Sequence, residues 1–128
     1  IYKFDSAPEK RFAIVCEQSE EVIKWLRPAA KQFNLFYGNG QRYEPDFVVE
    51  TSDTMYLVEI KGEDKLNDEN NLQKKQRAVR YCQVASVYAS GHGLKQWKHL
   101  YIPSQQVQTN SSFAMLAQRF EVTQENEE

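Results

Sequence analysis

Apolar positions change their spacing several times along the chain, and each change marks an element. Phe12, Ala13, Val15 and Cys16, then Val22, Ile23, Trp25 and Leu26, recur at helical intervals. Ser6, Pro8 and Glu9 open that helix as a capping box, Ser19-Glu20-Glu21 bends or restarts it, and Arg27-Pro28 ends it. Phe33 to Tyr37 alternates as a strand, and Gly38-Asn39-Gly40 turns it toward the next segment. Residues 47–49 and 55–58 are apolar runs separated by Thr51-Ser52-Asp53-Thr54, which has the chemistry of a turn, so residues 43–62 read as an antiparallel hairpin. From Asn70 to about Ser90 a helical stripe of Leu72, Ala78, Val79, Cys82 and Ala85 returns, broken by Ser90-Gly91-His92-Gly93. Lys98 to Pro103 is a further strand with Leu100 and Ile102 on one face, and Ser111 or Ser112 caps a last helix bearing Phe113, Leu116, Ala117 and Phe120. Helix, three strands, helix, strand, helix is the predicted order, and a mixed α/β sheet covered on both faces follows from it.

The hairpin carries the chemistry. Side chains alternate across a strand, so Glu59 and Lys61 share a face while Ile60 points the other way. Asp46 begins the first strand, and in an antiparallel hairpin that end lies beside the end of the second. Two carboxylates and an ammonium are thereby expected to converge. Two hard oxygen donors with room for water suit Mg²⁺, and a neighbouring Lys can orient water or stabilise charge on a phosphoryl oxygen. An exposed Glu-x-Lys pair of little energetic weight is the alternative for those two residues alone; the addition of Pro45-Asp46 favours a site.

Composition narrows the setting. At 128 residues, 41% hydrophobic and 27% charged, the chain has the size and make-up of one globular domain. No apolar run approaches a membrane span and no signal peptide is present, so a cytoplasmic protein without a membrane partner is expected. A first residue of Ile1 leads to the expectation of a segment cut from a longer protein. Cys16 and Cys82 form no metal or redox motif and read as reduced core thiols. The net charge is −2, but four of the acidic residues lie beyond position 120, which leaves residues 1–120 at +2. So mild a basic excess means that most affinity for a nucleic acid comes from elsewhere in a parent protein.

Lys74, Arg77 and Tyr81 recur at i, i+3 and i+7 beside the apolar stripe of the second long helix. They form either a solvated face or an edge that contacts phosphates next to the hairpin. His92, in a loop between two glycines, and His99, facing outward from a strand, lack partners at zinc-ligand spacing. Tyr37 and Tyr43 flank the turn before Asp46 and read as core residues, with contact to DNA as the alternative. No Walker motif and no nucleophile elbow occurs.

With Pro45-Asp46 and Glu59-Ile60-Lys61, the chain resembles the PD-(D/E)xK nuclease superfamily. The stretches YEPDF at 43–47 and LVEIKG at 57–62, followed by a Lys-rich helix ending in Tyr81-Cys82, resemble the C-terminal endonuclease domain of type III restriction enzyme Res subunits, from about Ser6 to Phe120. The resemblance implies a restriction-endonuclease-like αβββαβ core with an added C-terminal helix over residues 1–120, leaving 121–128 as an acidic, disordered tail. It implies Mg²⁺, with Mn²⁺ able to substitute, held by Asp46, Glu59 and the Ile60 carbonyl, with Lys61 positioning the attacking water. Glu9 matches the place of a first-helix acid in such sites, which stands beside its capping role. Lys74 and Lys75 both match the helix lysine, Lys74 better because it shares a face with Tyr81. DNA is the implied substrate. ATP enters only through a motor domain outside this chain, and a Mod-type methyltransferase subunit is the implied partner. The alternatives are a non-catalytic DNA-binding or docking module, and a nuclease module of another helicase acting on RNA or structured DNA.

Overall fold

A computed structural model describes residues 7–28, 35–37 and 40–123. Helix α1 (Ala7–Gln18) is followed by strands β1 (Lys24–Leu26), β2 (Leu35–Tyr37), β3 (Gln41–Tyr43), β4 (Phe47–Glu50) and β5 (Thr54–Lys61). Then come α2 (Glu69–His92), β6 (Gln96–Pro103), α3 (Phe113–Phe120) and β7 (Glu121–Val122). The fold is α/β, with a five-stranded mixed sheet in the order β1-β4-β5-β6-β7 and a separate β2-β3 ribbon. Among the described strands only the β5–β6 pair is parallel, and α2 provides the crossover that a parallel pair needs.

The β4–β5 hairpin forms as its turn chemistry predicts. Thr51 N–H donates to Thr54 O at 2.9 Å, and Asp53 Oδ1 accepts from both threonine hydroxyls, at 3.3 and 3.0 Å. Lys95 ties down the same end, donating to Glu50 Oε2 at 2.6 Å and to Thr51 O at 2.8 Å.

Both faces of the sheet are covered, and alternation along β4 and β5 divides the core in two. Phe47, Val49, Val58 and Ile60 pack with Phe12 and Val15 of α1 and Phe113 and Leu116 of α3. Val48 and Leu57 point the other way, to Ala78 and Cys82 of α2 and to Leu35 and Tyr43 of the ribbon. The two cysteines are buried free thiols on opposite faces. Helix α2 starts one residue before the expected position because Asp68 caps it, Oδ1 accepting from Asn70 N at 2.9 Å, and it ends at Gly93 with φ of 67°. Ser112 caps α3 through Met115 N–H.

Five sequence expectations change. The first helix stops at Gln18 instead of running to Arg27. Ser19 Oγ donates back to Val15 O at 2.7 Å, and Lys24–Leu26 pairs with β4 to cover what would be an open sheet edge. The strand read at 33–37 therefore lies outside the main sheet, as the ribbon strand Leu35–Tyr37, and the first sheet strand is β1. His99 is buried, not outward, with Nδ1 2.9 Å from Leu57 O, because strands neighbour β6 on both sides and α2 packs across it. His92 is the last residue of α2, its ring stacked on Tyr88 at 3.9 Å. At the C-terminus, Glu121 and Val122 pair with β6 rather than joining a disordered tail. The Ser6 cap, Phe33-Asn34, Gly38-Asn39 and residues 124–128 lie outside the described residues. No helix among the described residues is long and apolar enough to cross a membrane.

Candidate active site

The backbone ladder between β4 and β5 reaches Phe47 opposite Val58, and Asp46 extends it in another way. Its N–H donates to Val58 O at 3.0 Å, and its side-chain Oδ2 accepts the Ile60 N–H at 2.8 Å. A carboxylate thus stands where a neighbouring strand's carbonyl would be. That bond anchors Asp46 at the end of the hairpin beside Glu59, the convergence that the sequence pattern predicts.

Glu59 is 4% exposed. Lys61 Nζ lies 3.2 Å from its Oε2, while Oε1 is buried with no hydrogen bond to it. Burial, and then the charge of Glu59, push the Asp46 carboxyl well above the usual carboxylate range; the Ile60 N–H opposes this. Glu59 is also raised by burial, against the pull of Lys61 and, more weakly, of Lys74. Burial draws the Lys61 ammonium down, but Glu59, Asp46 and Glu9 more than offset it, so the group stays charged.

Glu9 reaches this end of the sheet from the first turn of α1, buried and near enough for its charge to act on Asp46 and Lys61. Its Oε1 is 3.1 Å from Nη2 of Arg27, whose guanidinium also lies 5.8 Å from the centre of the Phe47 ring. Sequence reasoning misses Arg27, because Arg27-Pro28 reads as a helix stop. Its signal in the sequence is a cation placed directly after the apolar Trp25-Leu26 pair.

The basic edge of α2 divides. Lys74 lies over Tyr43, its Nζ 5.9 Å from the ring centre, and its charge weakly lowers Glu59. Lys75 instead sits over Tyr101 at 5.0 Å, which separates the two candidate lysines. Tyr81 is half-buried, edge-on to Trp97 at 5.6 Å, and Arg77 acts on it electrostatically. Tyr43 is a second missed residue. It is buried in the core as expected, and its phenol is pushed well up by burial and then by the charges of Glu59 and Asp46.

Among the described residues no group of three or more His, Cys, Asp or Glu side chains forms a metal cage. The donor set is smaller: the buried Glu59, one of whose oxygens makes no hydrogen bond, and the half-buried Asp46 beside it. That fits Mg²⁺, which commonly takes one or two carboxylates and fills its remaining positions with water and phosphate oxygens. No protein-family model matches the chain, and no curated protein matches it closely enough to count as a relative.

Proposed function

We propose that this domain is a Mg²⁺-dependent phosphodiesterase of the PD-(D/E)xK kind, acting on DNA as the cleavage module of a Res-type restriction subunit. The observation that carries the reading is Asp46 and Glu59 side by side at the end of the β4–β5 hairpin, with Lys61 Nζ 3.2 Å from Glu59 Oε2. Holding a half-buried carboxylate against a buried one is costly, and a fold that does so without a binding purpose has little reason to keep both. A helix-first mixed sheet with helices on both faces is compatible with a restriction-endonuclease-like core.

Asp46 and Glu59 are the residues that would hold the ion, with the Ile60 carbonyl implied by the resemblance and Glu9 adding negative charge nearby. When bound, the ion supplies Lewis-acid polarisation of the phosphate and a more acidic water. The Ile60 N–H bond restrains Asp46 from turning away. Lys61, charged and tethered to Glu59, orients the attacking water and stabilises negative charge on the phosphoryl oxygens in the transition state. Lys74 places a second cation on the same side. An upstream ATP-driven motor and a methyltransferase partner complete the reading.

The test is nicking of supercoiled DNA by the chain at low salt with Mg²⁺ or Mn²⁺. Wild type should cut, a chelator should stop it, and Asp46→Ala, Glu59→Ala and Lys61→Ala should each abolish cutting with unchanged circular dichroism. Cutting at the wild-type rate in all three variants would remove the site from the mechanism. A wild type that binds DNA but never cuts favours a non-cleaving module, and one that cuts only RNA favours the other helicase.

A further inference from the structure

Helix α2 lies on the sheet through Ala78, Val79, Cys82 and Ala89, so its opposite face is expected to be polar. That holds over its first half, where Gln76 and Arg80 are exposed. Over the second half it fails. Val84, Val87 and Tyr88 point outward, Val87 and Tyr88 being 77% and 60% exposed, and Leu94 just beyond the helix is exposed as well. Arg80, Val84, Tyr88 and His92 form one row at intervals of four, a ridge of the sort by which helices pack. Val84 and Tyr88 line a groove on each side of it. One, of about 390 Å³, runs against Tyr81, Leu94 and Trp97. The other, of about 450 Å³, runs against Arg80, Gln83 and Val87.

A ridge between two grooves is complementary to a copy of itself turned about a two-fold axis. The charges agree with that arrangement. An axis at the level of Ser86 sets Val84 of one copy against Tyr88 of the other, and Arg80 against His92. Arg80 makes no hydrogen bond or ion pair among the described residues. His92 ends α2, where the last carbonyls carry partial negative charge. Its Nδ1 lies 2.8 Å from Tyr88 O and so carries the proton in the neutral ring, which leaves Nε2 as an acceptor for a guanidinium. The rings of Tyr88 and His92 are stacked at 3.9 Å, which holds the ridge in place. At Gly91 nothing outside its own helical turn lies within 4 Å of where a Cβ would stand, so a second helix can come close there.

We infer that this face of α2 is a homodimer surface: the helices of two copies pack antiparallel, the Val84–Tyr88 ridge of each seated in a groove of the other. At 1.5 Å per residue the ridge stands about 15–21 Å along α2 from Lys74, so pairing leaves the carboxylate end of the sheet open. It requires neither metal nor DNA. One helix face is smaller than the roughly 800 Å² that each partner gives to a standard interface, so dimer and monomer exchange at micromolar concentrations and above.

The experiment is sedimentation velocity of the 128-residue chain, in a concentration series up to about 1 mM. Wild type is compared with Val87→Glu, Arg80→Glu and the double variant Arg80→Glu/His92→Arg. All three positions are exposed, so circular dichroism should not change. Wild type should dimerise, and Val87→Glu and Arg80→Glu should each weaken association roughly tenfold or more. The double variant should regain most of that loss. Within one chain residues 80 and 92 are about 18 Å apart along the helix, so the regain can come only from antiparallel pairing between copies. A wild type still monomeric at about 1 mM, where even weak pairs are populated, would overturn the proposal and leave the face to another partner. Association untouched by Val87→Glu, or no regain in the double variant, would place the contact elsewhere and overturn it as well.

Discussion

Glu9 and Arg27 form an ion pair, Oε1 to Nη2 at 3.1 Å, across the end of the sheet, with side chains only 11% and 16% exposed. The pair joins α1 to the segment just after β1 and holds Glu9 beside the Asp46–Lys61 cluster. Glu9→Gln and Arg27→Gln should each cost about 1–3 kcal/mol, the usual range for losing a charge-assisted bond away from water. A double-mutant cycle by urea denaturation should give a coupling of at least about 0.5 kcal/mol. A coupling near zero would reduce the pair to a proximity with no energetic content.

Asp46→Asn should separate stability from chemistry. Asn keeps an oxygen for the Ile60 N–H but removes one of two repelling charges. Because burial and Glu59 raise the folded-state pKa of Asp46, its favourable contribution is present below the unfolded carboxyl range and is lost as pH rises through the higher folded value. At neutral pH the metal-free variant should therefore be more stable than wild type, by about 0.5–2 kcal/mol, while cutting no DNA. A clear loss of stability would mean that the ionised Asp46 is already compensated in the metal-free protein.

Lys74 and Arg77 should respond differently, although sequence spacing groups them. Lys74 faces Tyr43 and Glu59, so Lys74→Gln should lower the cleavage rate even at saturating DNA. Arg77→Gln should leave that rate alone and reduce the log–log salt dependence of DNA binding by about one unit, as expected for one phosphate contact. An unchanged slope in Arg77→Gln would make its face of α2 a solvated one.

His99 makes the acid limb of stability testable. Burial pushes its pKa down to about 4 from 6.5, the Leu57 carbonyl bond opposing this and Lys75 adding to it. The unfolded chain thus takes up a proton first as pH falls. Stability is full above about pH 6.5 and declines toward pH 4, by up to roughly 3 kcal/mol from this group. His99→Asn can keep a donor to the Leu57 carbonyl and should remove that decline, leaving the opposite trend from Asp46 visible. Urea midpoints between pH 7 and 4 check it, and equal slopes in wild type and variant would exclude His99 as the cause.

Much of the hairpin was legible from residue order alone. The Thr51–Thr54 turn, the alternation along residues 47–50 and 54–61, and the meeting of Asp46 with Glu59 and Lys61 follow from local backbone geometry, which a sequence states directly. Helix α2, its glycine stop and the cap of α3 were equally local. Residues 22–26 were not. Val22, Ile23, Trp25 and Leu26 fit helical spacing as well as a short strand, and the open edge of β4 decided between them. The same edge explains why the strand at Leu35–Tyr37 is displaced into the ribbon. His99 looked outward because a strand's two faces are equivalent until something packs on them; α2 chose. The site followed the same division. Sequence determined which charges share an end of one hairpin, since two or three residues along a strand set that. The tertiary structure alone decided that Arg27 pairs with Glu9, that Lys74 rather than Lys75 acts on Glu59, and that the Tyr43 ring lies beneath the Lys74 ammonium. Each of those contacts joins separately placed elements, and only packing sets their distance.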